Sequence, residues 1–270
     1  MADEGEEDEC PHGLDPAWCT YCRNKAAGVL PKGVRRPPAA AATKARRAPA
    51  ARPARAATSA ASPAAPLSPV DALIKLHKVV FHASAYGSWP SISELGLLPT
   101  DQLLAGDRRL GGARLEPIGV VHPSGHNVTV REQRPMMRAN IESHLDGIDL
   151  ATWLGILNER AFFFARQKDL TTFLGRYREM GQDVLVFDTA RLLAAAAGRV
   201  EVATVGSTAP VPWERCPCRN RSTFFPVTTF AGDVADIQEV TVIGGVTDVP
   251  DLVVRVMRYH PDRTTEVLVA

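Results

Sequence analysis

The chain has 270 residues, with 31 Lys and Arg against 30 Asp and Glu, a formal net charge of +1, and 45% hydrophobic residues. That balance excludes a uniformly basic nucleic-acid binder, and the length suits one sizeable domain with additions or two small ones. No apolar run approaches the roughly 20 residues that span a bilayer, and the opening DEGEEDE is the opposite of a secretory n-region, so the expected location is cytoplasmic and off the membrane.

Near-neutral charge hides strong segregation. Residues 3–9 carry six acids and no base, whereas residues 31–70 carry eight bases and no acid. Between them lies a cluster of metal-type donors. Cys10, His12, Cys19 and Cys22 read as C-x-H-x6-C-x2-C. Four soft or borderline donors at this spacing match the tetrahedral preference of zinc. The expectation is a closed, structural zinc knuckle within residues 1–30, whose folding the metal itself drives. A redox CxxC pair and chance clustering in a disordered tail are the competing readings, and the first lacks the surrounding βαβ pattern. Cys216 and Cys218, in RCPCRNR, are two donors without a second pair and read as ordinary loop thiols.

Residues 31–68 are mostly Ala, Pro and Arg. They hold too few large apolar side chains to offset the entropy of ordering, so they read as a disordered basic linker. The globular domain is expected over 69–270. In chain order the pattern predicts a helix at 69–78, a strand at 79–83, and a helix at 90–96 closed by Gly96. A segment rich in Gly and Pro follows, with strands near 116–121 and 127–131. Helices are predicted at 135–145 and 149–158, and RAFFFA at 160–165 reads as a buried strand. Next come a helix at 168–180, a strand at 183–187, a helix at 188–197, and strands at 199–204, 223–230 and 237–243. A helix at 250–257 and a strand at 265–269 end the series. Strands and helices mix without regular alternation, which favours α+β over a doubly wound sheet. No glycine-rich phosphate loop is present.

Within this domain five stretches stand out. His82 sits on an apolar strand, VVFHAS, with Ser84 on the same face. SISELGLL follows. VREQRPMM brings Arg131 and Arg134 before a helix, and LNERAFFFA sets Asn158 and Arg160 ahead of three aromatics. DIQEVTVIGGV then places Glu239 on a late, β-branched strand. Each feature alone has an ordinary structural explanation: a core histidine, a buried strand, surface bases, or an edge charge.

Their order resembles the ADP-ribosyltransferase superfamily of the His–aromatic–Glu type. VFHAS-YGSWPSISELGLLPTDQLL is most similar to the start of the bacterial DNA-targeting ADP-ribosyltransferase toxins and of a related family of uncharacterised bacterial proteins. VREQRPMM through LNERAFFFA and IQEVTVIGGVTDVPDLV resemble that second family. The likeness spans roughly 79–258 in patches. It implies an α+β fold with a split, mixed or antiparallel sheet, flanking helices, and NAD as substrate in the cleft. By that resemblance His82, with Ser84 nearby, would bond the adenosine-side ribose, and Phe163 would stack on nicotinamide. Glu239 would be the catalytic carboxylate. Arg131 or Arg134 would pair the pyrophosphate, and Asn158 would orient the ligand through its amide. The implied activity is transfer of ADP-ribose from NAD to a nucleic-acid or protein acceptor, in a toxin or defence role. The other class of function compatible with these residues is an inert shell of the same fold, docked through its zinc knuckle. The strand carries only Phe where many members have Tyr. Gln238-Glu239 is not the paired-glutamate pattern of the arginine-specific transferases, so arginine is not the expected acceptor.

Overall fold

The computed structural model describes residues 67–105, 107, 112–133, 136, 141–207 and 218–270. The expected zinc ligands Cys10, His12, Cys19 and Cys22, the linker, Arg134 and Cys216 lie outside the described residues. The chain divides into Met1–Pro66 and Leu67–Ala270, and all that follows concerns the second unit.

Strands β1 (Val79–Ala85), β4 (Arg160–Phe164), β5 (Gln182–Asp188), β6 (Val200–Ala203), β7 (Phe225–Pro226), β8 (Glu239–Ile243), β9 (Val253–Tyr259) and β10 (Thr265–Val269) form one sheet in the order β10-β9-β5-β1-β4-β8-β6-β7. Every pairing in it is antiparallel. A separate hairpin joins β2 (Ile118–Val121) to β3 (Asn127–Val130). The helices are α1 (Pro69–Leu76), α2 (Trp89–Leu95), α3 (Thr100–Leu103), α4 (Leu150–Asn158), α5 (Gln167–Arg176), α6 (Thr189–Ala195) and α7 (Val249–Leu252). The fold is α+β, a mostly antiparallel sheet flanked by helices. Among the described residues no helix is long and apolar enough to cross a membrane.

Local chemistry sets the helix starts. The Ser68 hydroxyl accepts from the Asp71 amide at 3.1 Å, and Pro69 opens α1 with a preset φ. Asp149 accepts from Thr152 N at 2.8 Å ahead of α4, and Asp188 accepts from Arg191 N at 2.9 Å ahead of α6. Gly96 ends α2 with φ +85°. Beside it, Leu97 and Val246 exchange two backbone hydrogen bonds, 2.8 and 3.0 Å, which tie the α2–α3 turn to the turn after β8. Gly245, at φ +79°, faces the Leu97 carbonyl oxygen so closely that a Cβ would overlap it. Gly245→Ala is therefore expected to lose about 1–3 kcal/mol of stability, read from thermal or urea unfolding.

Period-two burial divides the sheet into two faces. Val80, Phe163, Leu185, Phe187, Val240 and Val256 point to the main core, where Leu73, Leu192 and Val249 of α1, α6 and α7 meet them. The opposite face carries Phe81, Ala83, Phe162, Phe164, Thr241 and Glu239. It is covered by α5, through Leu170 and Phe173, and by α4, through Trp153 and Leu157.

Three expectations are corrected. The helix at 250–257 is one turn, α7, followed by strand β9. Val253, Val254 and Val256 are β-branched, and seven residues of extended chain gain a ladder against β5. The strand at 223–230 is only Phe225–Pro226 on the sheet edge. Pro226 has no N–H to continue a ladder, and 3₁₀ turn Val227–Thr229 follows. The helix at 168–180 is α-helical over Gln167–Arg176, breaks at Tyr177, whose side chain turns inward to 8% exposure, and is followed by the 3₁₀ turn Arg178–Met180. Within 135–145 the described residues are helical at Met136 and over the 3₁₀ turn Ile141–His144.

Candidate active site

The sheet opens at its centre. β1 pairs with β5 along all seven residues from Val79 to Ala85, but with β4 only at Phe81 and Phe164. Past that pair β1 and β4 part. The His82 ring fills the gap at its narrow end: Nδ1 lies 2.8 Å from the Phe162 carbonyl oxygen. An imidazole thus substitutes for a rung of the ladder. Next to it a cavity of about 300 Å³ opens, at the low end of the range for small-molecule sites. His82, Ser84, Arg131, Asn158, Phe163 and Glu239 all line it. The split explains how residues from opposite sheet faces reach one space.

Burial lowers the pKa of His82 from 6.5 to about 4; the Phe162 carbonyl opposes that shift and Arg131 adds to it. The ring is neutral at pH 7. A carbonyl only accepts, so Nδ1 carries the proton and Nε2 keeps a lone pair. His82 is therefore an acceptor suited to a hydroxyl donor. The Ser84 hydroxyl is committed to the Asp183 carbonyl at 3.1 Å, so Ser84 contributes chiefly through the strand it sits on.

Glu239, at the first position of β8, is 8% exposed. Its Oε1 accepts from Ser207 N at 3.0 Å and from Ser207 Oγ at 3.2 Å. Its Oε2 is buried without a hydrogen-bond partner. Burial raises its pKa from 4.5 to about 7, and nearby Asp169 adds to the rise. The Ser207 bonds and the charge of Arg219 pull the other way. Arg219 is itself fully buried and donates to the Gly206 carbonyl at 2.6 Å, which anchors the loop that carries Ser207. One carboxylate oxygen is thus held and the other is left open to new interactions.

Arg131 crosses the split. Its Nη2 donates to the Ser84 carbonyl at 2.5 Å and to the Gln182 side chain. Its guanidinium lies over Phe173 at 5.2 Å and Tyr177 at 4.9 Å from the ring centres. Arg131 Nε is buried without a partner. The amide of Asn158 accepts both Arg114 Nη atoms at 3.2 Å. Phe163 is 1% exposed, with its ring edge-on to Phe187 at 5.1 Å and to His82 at 5.9 Å. The half-buried rings of Phe162 and Phe164, which also line the cavity, lie on the face of Glu239, and Phe164 is its register partner.

Sequence reasoning missed Arg114, Ser207, Tyr177, Phe162 and Phe164 as site residues. Strict alternation along β4 carries the signal for the two phenylalanines, given that Glu239 is one register step across. Arg114, in LGGARLEP, carries no local signal. Cys218 is exposed. Among the described residues no group of three or more His, Cys, Asp or Glu is placed to hold a metal.

A sheet that opens over a buried carboxylate, a neutral histidine and several arginines defines an α+β domain with an internal polar site. The model of DUF7002, a family of unknown function, matches residues 78–253, and the chain belongs to that family. No curated protein and no solved structure matches the chain.

Proposed function

We propose that residues 67–270 form an ADP-ribosyltransferase-like domain that transfers ADP-ribose from NAD to a nucleic-acid or protein acceptor, in a toxin or defence role. The observation that carries this reading is the meeting of His82 and Glu239 at one cavity, across a sheet that splits beside β1. In the reaction the bond between nicotinamide and ribose C1′ breaks, and its electron pair stays on the nicotinamide nitrogen. The acceptor then bonds C1′ and gives up a proton. Positive charge grows on the ribose in the transition state. Glu239 Oε2 stabilises that charge more than it stabilises the ground state, and this difference accelerates the step. The His82 Nε2 lone pair suits a ribose hydroxyl, and Arg131 suits phosphate oxygens. Phe162 and Phe164 offer flat apolar faces beside Glu239 for the nicotinamide ring, while Phe163 serves as packing beneath His82. The charge and hydrogen-bonding character of these residues suit NAD.

The test is nicotinamide release from NAD by the full chain, with DNA, RNA or protein lysate added as acceptor, beside the Glu239→Gln variant. Release that depends on Glu239 supports the transferase. Tight NAD binding without release under every acceptor would favour an inert shell, and absence of NAD binding would end the transferase reading and leave the shell docked through its zinc knuckle.

We also propose that Cys10, His12, Cys19 and Cys22 hold one structural zinc ion. Elemental analysis of the full chain is expected to find one zinc per chain, reduced to trace by a Cys19→Ser, Cys22→Ser double substitution. Unchanged metal content in that variant would overturn the assignment.

A further inference from the structure

Arg114 lies in the turn-rich segment before β2, yet it is only 7% exposed and most of its donors are spent on three anchors. Its amide donates to Gln133 Oε1 at 3.1 Å, and Gln133 N returns a bond to the Arg114 carbonyl at 2.5 Å. Its Nε donates to the Arg131 carbonyl at 3.2 Å. Both Nη atoms donate to Asn158 Oδ1 at the end of α4, each at 3.2 Å. The guanidinium plane therefore fixes the backbone of residues 131–133 against α4. From that fixed backbone the Arg131 side chain reaches across the cavity to β1 and β5 and rests on Phe173 and Tyr177.

We infer that Arg114 is a positioning residue for an anion site. It holds the Arg131 backbone so that the Arg131 guanidinium, with its unpartnered buried Nε and exposed Arg176 at the cavity rim, receives a diphosphate. A guanidinium fork suits this task, because one planar group spans the Arg131 carbonyl and the Asn158 amide together. A lysine has the same charge but one nitrogen and cannot hold both. Burial disfavours the Arg131 cation, and Tyr177 and Glu132 offset this only in part, so an anion at the guanidinium is favoured. The inference rests on the NAD reading only for the origin of the diphosphate. The recognition chemistry is that of any diphosphate group.

The experiment uses the full chain and two probes, inorganic pyrophosphate and NAD, titrated calorimetrically into wild type, Arg131→Ala, Arg114→Lys and the double variant. Arg131→Ala and Arg114→Lys are each expected to weaken pyrophosphate binding roughly tenfold or more, the scale of a lost hydrogen bond to a charged group. The double variant is expected to bind no worse than Arg131→Ala, since Arg114 acts only through Arg131. Asn158→Ala keeps both arginines but removes the far anchor. It is expected to weaken pyrophosphate with the same non-additivity, and it serves if Arg114→Lys fails to fold by thermal melt. Three results would each overturn the inference: wild-type affinity in Arg114→Lys, multiplied losses in the double variant, or no pyrophosphate binding by wild type. Coupled losses for pyrophosphate together with no NAD binding would leave the positioning role standing and sink the NAD reading alone.

Discussion

Glu239→Gln is expected to lower the rate of nicotinamide release by about 10²–10³-fold, the range for loss of one electrostatic stabiliser of the transition state, with NAD affinity retained. The amide has nearly the volume of the acid, and its oxygen still accepts from Ser207 N and Oγ, which hold Oε1 at 3.0 and 3.2 Å. Shape and fold are thus preserved while the negative charge at Oε2 is lost. A loss confined to the transition state lowers kcat and kcat/KM together. Single-turnover release, measured beside NAD binding, separates this from a binding defect. A Gln variant that releases nicotinamide at the wild-type rate would remove Glu239 from the chemistry.

The same residue is expected to set the pH profile. Its pKa is raised to about 7, chiefly by burial. With the carboxylate as the proposed working form, the rate is expected to climb as pH rises through about 7, and the Gln variant is expected to lack that limb. Stability moves the opposite way. Between the ordinary carboxyl pKa of 4.5 and about 7, the folded chain keeps a proton that the unfolded chain has released. Bound protons favour the state that holds them, so this group's contribution to stability declines as pH rises across that window. Wild type is expected to lose stability relative to Glu239→Gln over the interval in which its own rate increases. The upward shift marks a carboxyl held in an apolar place, since a structural ion pair would shift its pKa downward.

How much of this was legible depends on whether the cause was local. His82 and Glu239 stand out because each is one polar residue in a run of strand-forming apolar ones, and α1, α4 and α6 announce themselves through Ser68, Asp149 and Asp188. β9 was misread because Pro250 opens a genuine helical turn, while the pull toward a strand comes from β5, some 70 residues earlier in the chain. Arg114 was invisible because its meaning lies in contacts 17 and 44 positions away, at Arg131 and Asn158. Ser207 likewise matters only through Glu239, 32 positions on. The split between β1 and β4 leaves no trace in either strand's own sequence. It is a property of how far two ladders run before they part.

The three phenylalanines of β4 show how one residue of register separates structure from function. Phe163→Ala is expected to cost about 3–5 kcal/mol of unfolding free energy, the toll of an aromatic deleted from a closed core. The ring is 1% exposed and meets Phe187 and His82, and its register partner on β8 is Val240, also fully buried. Helices α1, α6 and α7 pack over this face of the sheet, so collapse around the missing ring is limited. Loss of that floor also frees the His82 imidazole, so NAD affinity is expected to fall with stability. Phe164→Leu differs in kind. Its ring is half-buried against Phe173 at 5.2 Å on the cavity side and faces Glu239 across the ladder. It is expected to lose less stability than Phe163→Ala and to weaken NAD binding by more than its stability loss explains. Urea unfolding of each variant, with midpoint and slope both measured, beside NAD titration separates the two. A Phe163→Leu protein that keeps wild-type stability yet no longer binds NAD would return the stacking role to Phe163, because a leucine fills the core but offers no aromatic face.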